Sequence, residues 1–297
     1  MKSVLPAAAL VATLPFCLGC VVVDSQGHIV REDKRFTVSG TPEVRLTTFD
    51  GSIEIRSGDT KSVLVEIEKR GPTKEAIEQL IVESKQEGNR IDVSVKRPAG
   101  EIVVLGIGRI SSTAKLIVTM PREGQIFAKS GDGSIRVDGV HGRLELRTGD
   151  GSIRAMDVGG QMVLATGDGS VTVDNAEGDL DVDTGDGSVS VAGKLDTVKV
   201  HTGDGSITFR VEPGTSMKGD WSMTTGDGGV ALYLPSDFGA ELDAHTGDGA
   251  IRNELDIASE RRGDDERARR TLKGRLGAGG RTLRIRTGDG TVRLKSS

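Results

Sequence analysis

The sequence predicts an all-β chain, built as a β-solenoid (β-helix-like) of 18-residue two-strand coils with one short helix in an N-terminal cap. Three observations predict it. Gly-Asp-Gly occurs eight times, with Asp at 132, 150, 168, 186, 204, 227, 248 and 289, and the first four intervals are 18 residues each. Aligned units give apolar columns separated by polar residues: Ile135, Ile153, Val171, Val189 and Ile207, then Val137, Ala155, Val173, Val191 and Phe209, with Arg136, Arg154, Thr172, Ser190 and Thr208 between them. Alternation with a period of two marks strands with one buried and one wet face. The 42 glycines among 297 residues are about twice the ordinary usage of roughly 7%, and only 8 prolines accompany them, which excludes a collagen.

The elements follow in order. Residues 1–19 read as a secretory signal peptide: Met1-Lys2 supply charge, residues 4–16 are apolar, and Cys17-Leu18-Gly19-Cys20 closes the run. The run is too short to span a bilayer, which needs about 20 residues. The Leu18-Gly19-Cys20 ending resembles a bacterial lipobox. That resemblance implies a lipoprotein whose Cys20 carries diacylglycerol and palmitate-type chains and becomes the mature N-terminus; the alternative is an ordinary cleaved signal with an incidental Cys20. The expected location is the cell envelope, lipid-anchored. Val21 rather than Asp follows Cys20, so the outer membrane is expected where the source cell has two membranes. Residues 20–34, with Arg31-Glu32-Asp33-Lys34, read as a tether.

Residues 35–126 read as an N-terminal β cap. Strands are expected over residues 52–56, 62–67, 90–96 and 114–119, with an edge pairing at residues 102–107. Pro72 introduces a helix predicted over residues 73–82, where Ala76, Ile77, Leu80 and Ile81 have helical spacing. Residues 127–297 are the Gly-Asp-Gly array, continuous with the cap. Each unit has a second apolar pair, such as Leu144 and Leu146, hence two strands per unit. A solenoid stacks equivalent strands in parallel; a meander would place them antiparallel in one open sheet. The solenoid is preferred because open sheets rarely exceed about ten strands. Residues 259–270, mixed in sign and without an apolar stripe, read as a solvated loop with a docking role as the alternative.

The order of motifs carries a resemblance. It runs from Asp50-Gly51-Ser52-Ile53, through the helix, to Leu116-Ile117-Val118-Thr119-Met120-Pro121. The tandem tips follow, then Leu232-Tyr233-Leu234-Pro235 and Leu283-Arg284-Ile285-Arg286-Thr287-Gly288-Asp289-Gly290-Thr291-Val292. This resembles the bacterial putative-adhesin family, also called the toastrack domain, over about residues 35–294. The resemblance implies a stacked all-β domain of cell-envelope proteins, some of which accompany membrane-stress sensing systems, and it supplies no catalytic residues.

Stacked coils would align Asp132, Asp150, Asp168, Asp186 and Asp204, whose carboxylates repel one another. Ca²⁺ would relieve this, although calcium β-roll repeats are about nine residues long and richer in glycine. The simpler reading makes glycine the source of positive φ and Asp a turn former. His201, His245 and Asp183 share a column, but Thr224 interrupts it, so an outward polar ladder is expected rather than a metal site. His141 is assigned to a turn and His28 to the tether. The serines after the tips recur from coil to coil and read as structural. Leu105-Gly106-Ile107-Gly108-Arg109 lacks the Lys-Ser/Thr of a phosphate loop.

No catalytic residue and no cofactor beyond candidate Ca²⁺ is expected. A formal net charge of −5 gives no footprint for nucleic acid, and 3% aromatics argues against a base- or sugar-stacking platform. The expected function is a non-enzymatic, lipid-anchored envelope β-solenoid acting as an adhesin-like binding or scaffold module, with envelope stress sensing as the further role that the family resemblance implies. Its partners would be the bilayer, through the lipid, and an envelope protein or glycan. The alternative is a β-helix enzyme acting on envelope polysaccharide, with its acids and bases in the irregular coils at residues 211–221 and 235–245.

Overall fold

The computed structural model describes residues 20–24, 27–97, 112–259 and 270–297. The apolar columns become two ladders of stacked parallel strands. The first runs through Leu116, Ile53, Ile135, Ile153, Val171, Val189, Ile207, Val230, Val292 and Ile251, in that spatial order. The second runs through Ile91, Val44, Ile126, Leu144, Met162, Leu180, Val198, Trp221, Leu283 and Leu242. Residues 18 apart sit side by side, as in Ile153↔Val171↔Val189. Parallel stacking excludes the meander and makes each unit one coil. The inward columns of both ladders fuse into one core.

In the middle of the stack the two strands of a coil join without a loop, as in the 14-residue strands Ile153–Thr166, Val171–Thr184 and Val189–Thr202. The bend is made at Asp157 and Asn175, both at φ 51°, and at Gly160 and Gly178, at φ 103° and 104°. Asp and Asn tolerate the left-handed region better than other non-glycine residues. Where the period lengthens, Trp221 fills the core, its ring 5.3 Å from Phe209 and 5.5 Å from Phe238.

The spatial order departs from chain order at both ends. The strands Thr282–Thr287 and Val292–Ser296 slot between the coil of Trp221–Thr225 and Val230–Leu234 and the coil of Ala240–Thr246 and Ile251–Asn253. Likewise Glu43–Thr47 and Ile53–Ser57 sit between the strands Arg90–Lys96 and Thr113–Met120 on one side and Glu123–Lys129 and Ile135–Asp138 on the other. Each terminal coil is thereby locked one layer inside the stack. Antiparallel strands finish the ends: Ser62–Gly71 on Thr113–Met120, Ile81–Glu87 on Arg90–Lys96, and Thr271–Leu276 on Ala240–Thr246. The edge strand Ile81–Glu87 carries Glu83, Lys85 and Glu87, charges that discourage pairing with another chain.

Three expectations are corrected. Residues 27–34 are not a tether: the strand Gly27–Thr37 pairs with Ser62–Gly71 from His28 to Thr37, and Cys20–Asp24 pairs onto it. The charges that read as solvated are matched across strands, Arg31 with Glu68 at 2.8 Å and Glu32 with Lys69. The helix is shorter than expected, Lys74–Glu78, capped by Thr73, whose Oγ1 accepts from the Ala76 amide at 3.2 Å. Ile77 and Leu80 are buried, but Ile81 opens the edge strand and is exposed. His141 opens the strand His141–Arg147, with Nε2 2.8 Å from the Arg122 guanidinium. The expected pairing at residues 102–107, the Gly-Ile-Gly stretch, the signal peptide and most of the 259–270 segment lie outside the described residues.

Candidate functional site

The tips align along one edge of the stack. Strand register gives the order Asp50, Asp132, Asp150, Asp168, Asp186, Asp204, Asp227, Asp289, Asp248. At the spacing of neighbouring strands, about 4.8 Å, the row is about 38 Å long.

The hydroxyl before each tip points inward, and it holds the coils together. Thr202 is fully buried; its Oγ1 bonds to the carbonyls of Gly185 at 3.2 Å and Gly187 at 3.0 Å in the preceding coil, and accepts from the Gly205 amide at 3.2 Å. Ser130, Thr148, Thr166, Thr184, Thr225, Thr287 and Thr246 repeat the contact to the neighbouring coil. The sequence carries the signal, because every tip is preceded by Thr or Ser, but the pattern does not say that the hydroxyl points inward.

The glycines serve the same stacking. Those of the tips are not at positive φ, contrary to the simpler reading above. A Cβ on Gly205 would sit 2.1 Å from the Gly187 carbonyl oxygen, and one on Gly187 would sit 1.9 Å from that of Gly169. The first glycine of the tips from Gly149 to Gly226, and Gly288, donates to its counterpart in the neighbouring coil, as from Gly203 to Gly185 at 2.5 Å, whereas Gly131 and Gly247 donate to the Thr48 and Thr287 carbonyls. Glycine is required by close approach of backbones.

The carboxylates themselves face solvent. Asp132, Asp150, Asp168, Asp186 and Asp204 are exposed. Each leans toward the first glycine of the next coil, Oδ1 lying 3.0 to 3.4 Å from where a Cβ of that residue would be. Among the described residues none of these five makes an ion pair or a side-chain hydrogen bond, whereas the two ends of the row are neutralised. Asp50 pairs with Arg97 at 3.0 Å, and Asp248 with Arg270 at 3.0 Å. Among the described residues no three His, Cys, Asp or Glu side chains converge on a point that could hold a metal. Asp183 and His201 are neighbours, but Thr224 and Arg286 stand between His201 and His245. His245 Nδ1 lies 3.0 Å from Thr271 Oγ1.

Asp243, on the outer side of the C-terminal end, is a partly buried carboxylate whose pKa is shifted. Burial alone would raise its pKa. The Arg286 guanidinium, 2.6 Å away, with Lys273 and Arg284, outweighs burial and holds the group below its ordinary value. Glu68 follows the same pattern: burial opposes, and Arg31 and Arg70 prevail. Both are structural ion-pair nodes.

The irregular coils form a groove of about 720 Å³ lined by Gly214, Thr215, Ser216, Met217, Asp237 and Arg281 among others. Asp237 Oδ2 accepts from the Gly214 amide at 2.9 Å, and among the described residues no second carboxylate lines the groove. Among the described residues no helix is long and apolar enough to cross a membrane.

Residues 42–295 match the Toastrack DUF4097 family. The chain belongs to that family. No curated protein matches it. Solved structures similar to this toastrack chain include a "putative lipid binding protein" from Parabacteroides distasonis, 12% identical, covering 89% of this chain and 96% of its own, with a TM-score of 0.46. A "putative adhesin" from Bacteroides fragilis is 9% identical over 89% and 96%, with a TM-score of 0.37. A "putative cell adhesion protein" from Clostridium sporogenes is 12% identical over 90% and 99%, with a TM-score of 0.30.

Proposed function

We propose that this toastrack protein is a non-enzymatic module of the cell envelope, anchored by lipid on Cys20, that binds or scaffolds an envelope partner. The observation that carries the reading is the continuous stack itself. Among the described residues two ladders of ten stacked parallel strands each present outward rows of exposed side chains over about 40 Å. Such faces suit contact with an extended partner, because each coil adds area without a new folding problem. The first strand, Cys20–Asp24, is paired into the sheet, so a lipid on Cys20 would hold the stack close to the bilayer rather than on a long leash.

Metabolic labelling with palmitate, followed by membrane fractionation, tests the anchor. Label is expected on the wild type and absent from Cys20→Ser, which moves to the soluble fraction. Binding of the Cys20→Ser chain to isolated envelopes tests the module. Label on both forms, or no retention by envelopes, contradicts the respective half of the reading.

A further inference from the structure

The chain is acidic overall, but its charge is segregated. The outer side of the first ladder carries cations. Arg136 and Arg154 are register neighbours, as are Arg293 and Arg252, and all four are exposed. Among the described residues none of the four makes an ion pair. Side-by-side arginines about 4.8 Å apart repel one another, and an anion lying across them relieves that repulsion. Of the acids on the face, Glu54 beside Arg136 is already engaged by Lys115 at 2.7 Å and Arg56 at 3.4 Å, and Glu254, two residues from Arg252, reaches Lys295 at 4.0 Å. Asp138 and Asp174 stand at the margin away from the tips.

Between the two arginine pairs the floor is low and hydroxylated. Thr172, Ser190, Thr208 and Ala231 are successive neighbours over the five coil steps from Arg154 to Arg293, about 24 Å. A parallel lane of serines that follow the tips, from Ser152 to Ser206, runs beside it and is exposed. The chain's one tyrosine, Tyr233, also stands on this face, half-buried, with the Arg210 guanidinium 5.2 Å from its ring centre and Lys295 as its other neighbour.

We infer that this face binds a linear acidic polysaccharide, whose carboxylates or phosphates meet the arginine pairs and whose hydroxyls meet the Ser and Thr lanes. The inference rests on the binding-module reading and names its partner by chemistry. A single glycan strand fits the face, which is about 13 Å wide along four strand residues. A nucleic-acid duplex, whose major groove alone is about 12 Å wide, would overhang the aspartate row and be repelled by it.

The test uses the full chain carrying Cys20→Ser and, as probe, polygalacturonate, with dextran as the neutral polymer and duplex DNA at matched charge. Retention by polygalacturonate that weakens as salt rises is expected, with no retention by dextran and weaker retention by DNA. R252S/R293S and R136S/R154S should each weaken polygalacturonate binding at least tenfold while melting like the parent. Unchanged binding by both variants, equal binding of dextran, or preference for DNA overturns the inference. Isolated envelopes separate the two readings. Equal retention of parent and of the four-arginine variant overturns the acidic-glycan assignment but leaves the binding module standing, whereas no retention of either removes both.

Discussion

At each tip one residue's chemistry serves the neighbouring coil. Thr202 answers two glycine carbonyls with its hydroxyl, and Gly205 leaves room for the Gly187 carbonyl. Thr202→Val keeps the shape but deprives the Gly187 carbonyl and the Gly205 amide of their partner, while Gly185 keeps the Gly203 amide; a loss of about 1–3 kcal/mol is expected in denaturant unfolding. Gly205→Ala forces a methyl against the Gly187 backbone of the preceding coil and should cost about 3 kcal/mol. Asp204→Ala, one residue from that glycine, should cost nothing and gain up to about 1 kcal/mol, since its side chain faces water and its removal relieves repulsion from Asp186 and Asp227. An equal effect of all three would refute the division of labour. The repeat makes Thr, Gly and Asp equally conspicuous in the sequence. Spacing alone cannot say which of them points inward, because that depends on how closely two backbones approach.

Elements were legible where the period was strict. The columns of Ile153, Val171 and Val189 fixed both strand faces, and Arg90–Lys96 was placed to the residue. Legibility failed where partners are distant in sequence. Gly27–Thr37 has the polarity of a tether until Glu68 and Lys69 supply its counter-charges, and the intercalated terminal coil has no local signature at all. The helical spacing overruns the helix because Ile81 fits its stripe yet begins the next strand. Asp243 ties three C-terminal elements, lying on Ala240–Thr246 and meeting Lys273 of Thr271–Leu276 and Arg286 of Thr282–Thr287. Its pKa is depressed in the folded state, so its contribution to stability is present above the unfolded value of about 3.9 and is lost as pH falls through the folded value. Asp243→Asn should therefore lower the melting temperature at pH 7, and the gap to wild type should close as the pH falls below about 3.9. A gap that widens on acidification would contradict the pairing.

On the scale of the molecule, the stack joins a hydrogen-bonded interior to an unevenly charged exterior. The seven carboxylates from Asp132 to Asp289 lie in one row between two arginine-paired ends. Adjacent members repel by about 0.9 kcal/mol even at the dielectric of water. The coils must therefore hold against this edge through their threonines, glycines and core. The most direct measurement is thermal melting of the Cys20→Ser chain and its D168N/D186N variant, each in EDTA, in millimolar Mg²⁺ and in millimolar Ca²⁺. If stacking is carried by the interior and merely tolerates the edge, the variant melts higher than its parent in EDTA, and Ca²⁺ does no more for either than Mg²⁺. A variant that melts lower, with a Ca²⁺-specific rise confined to the parent, would show that the aspartates bind an ion that holds the coils together, and would contradict the account.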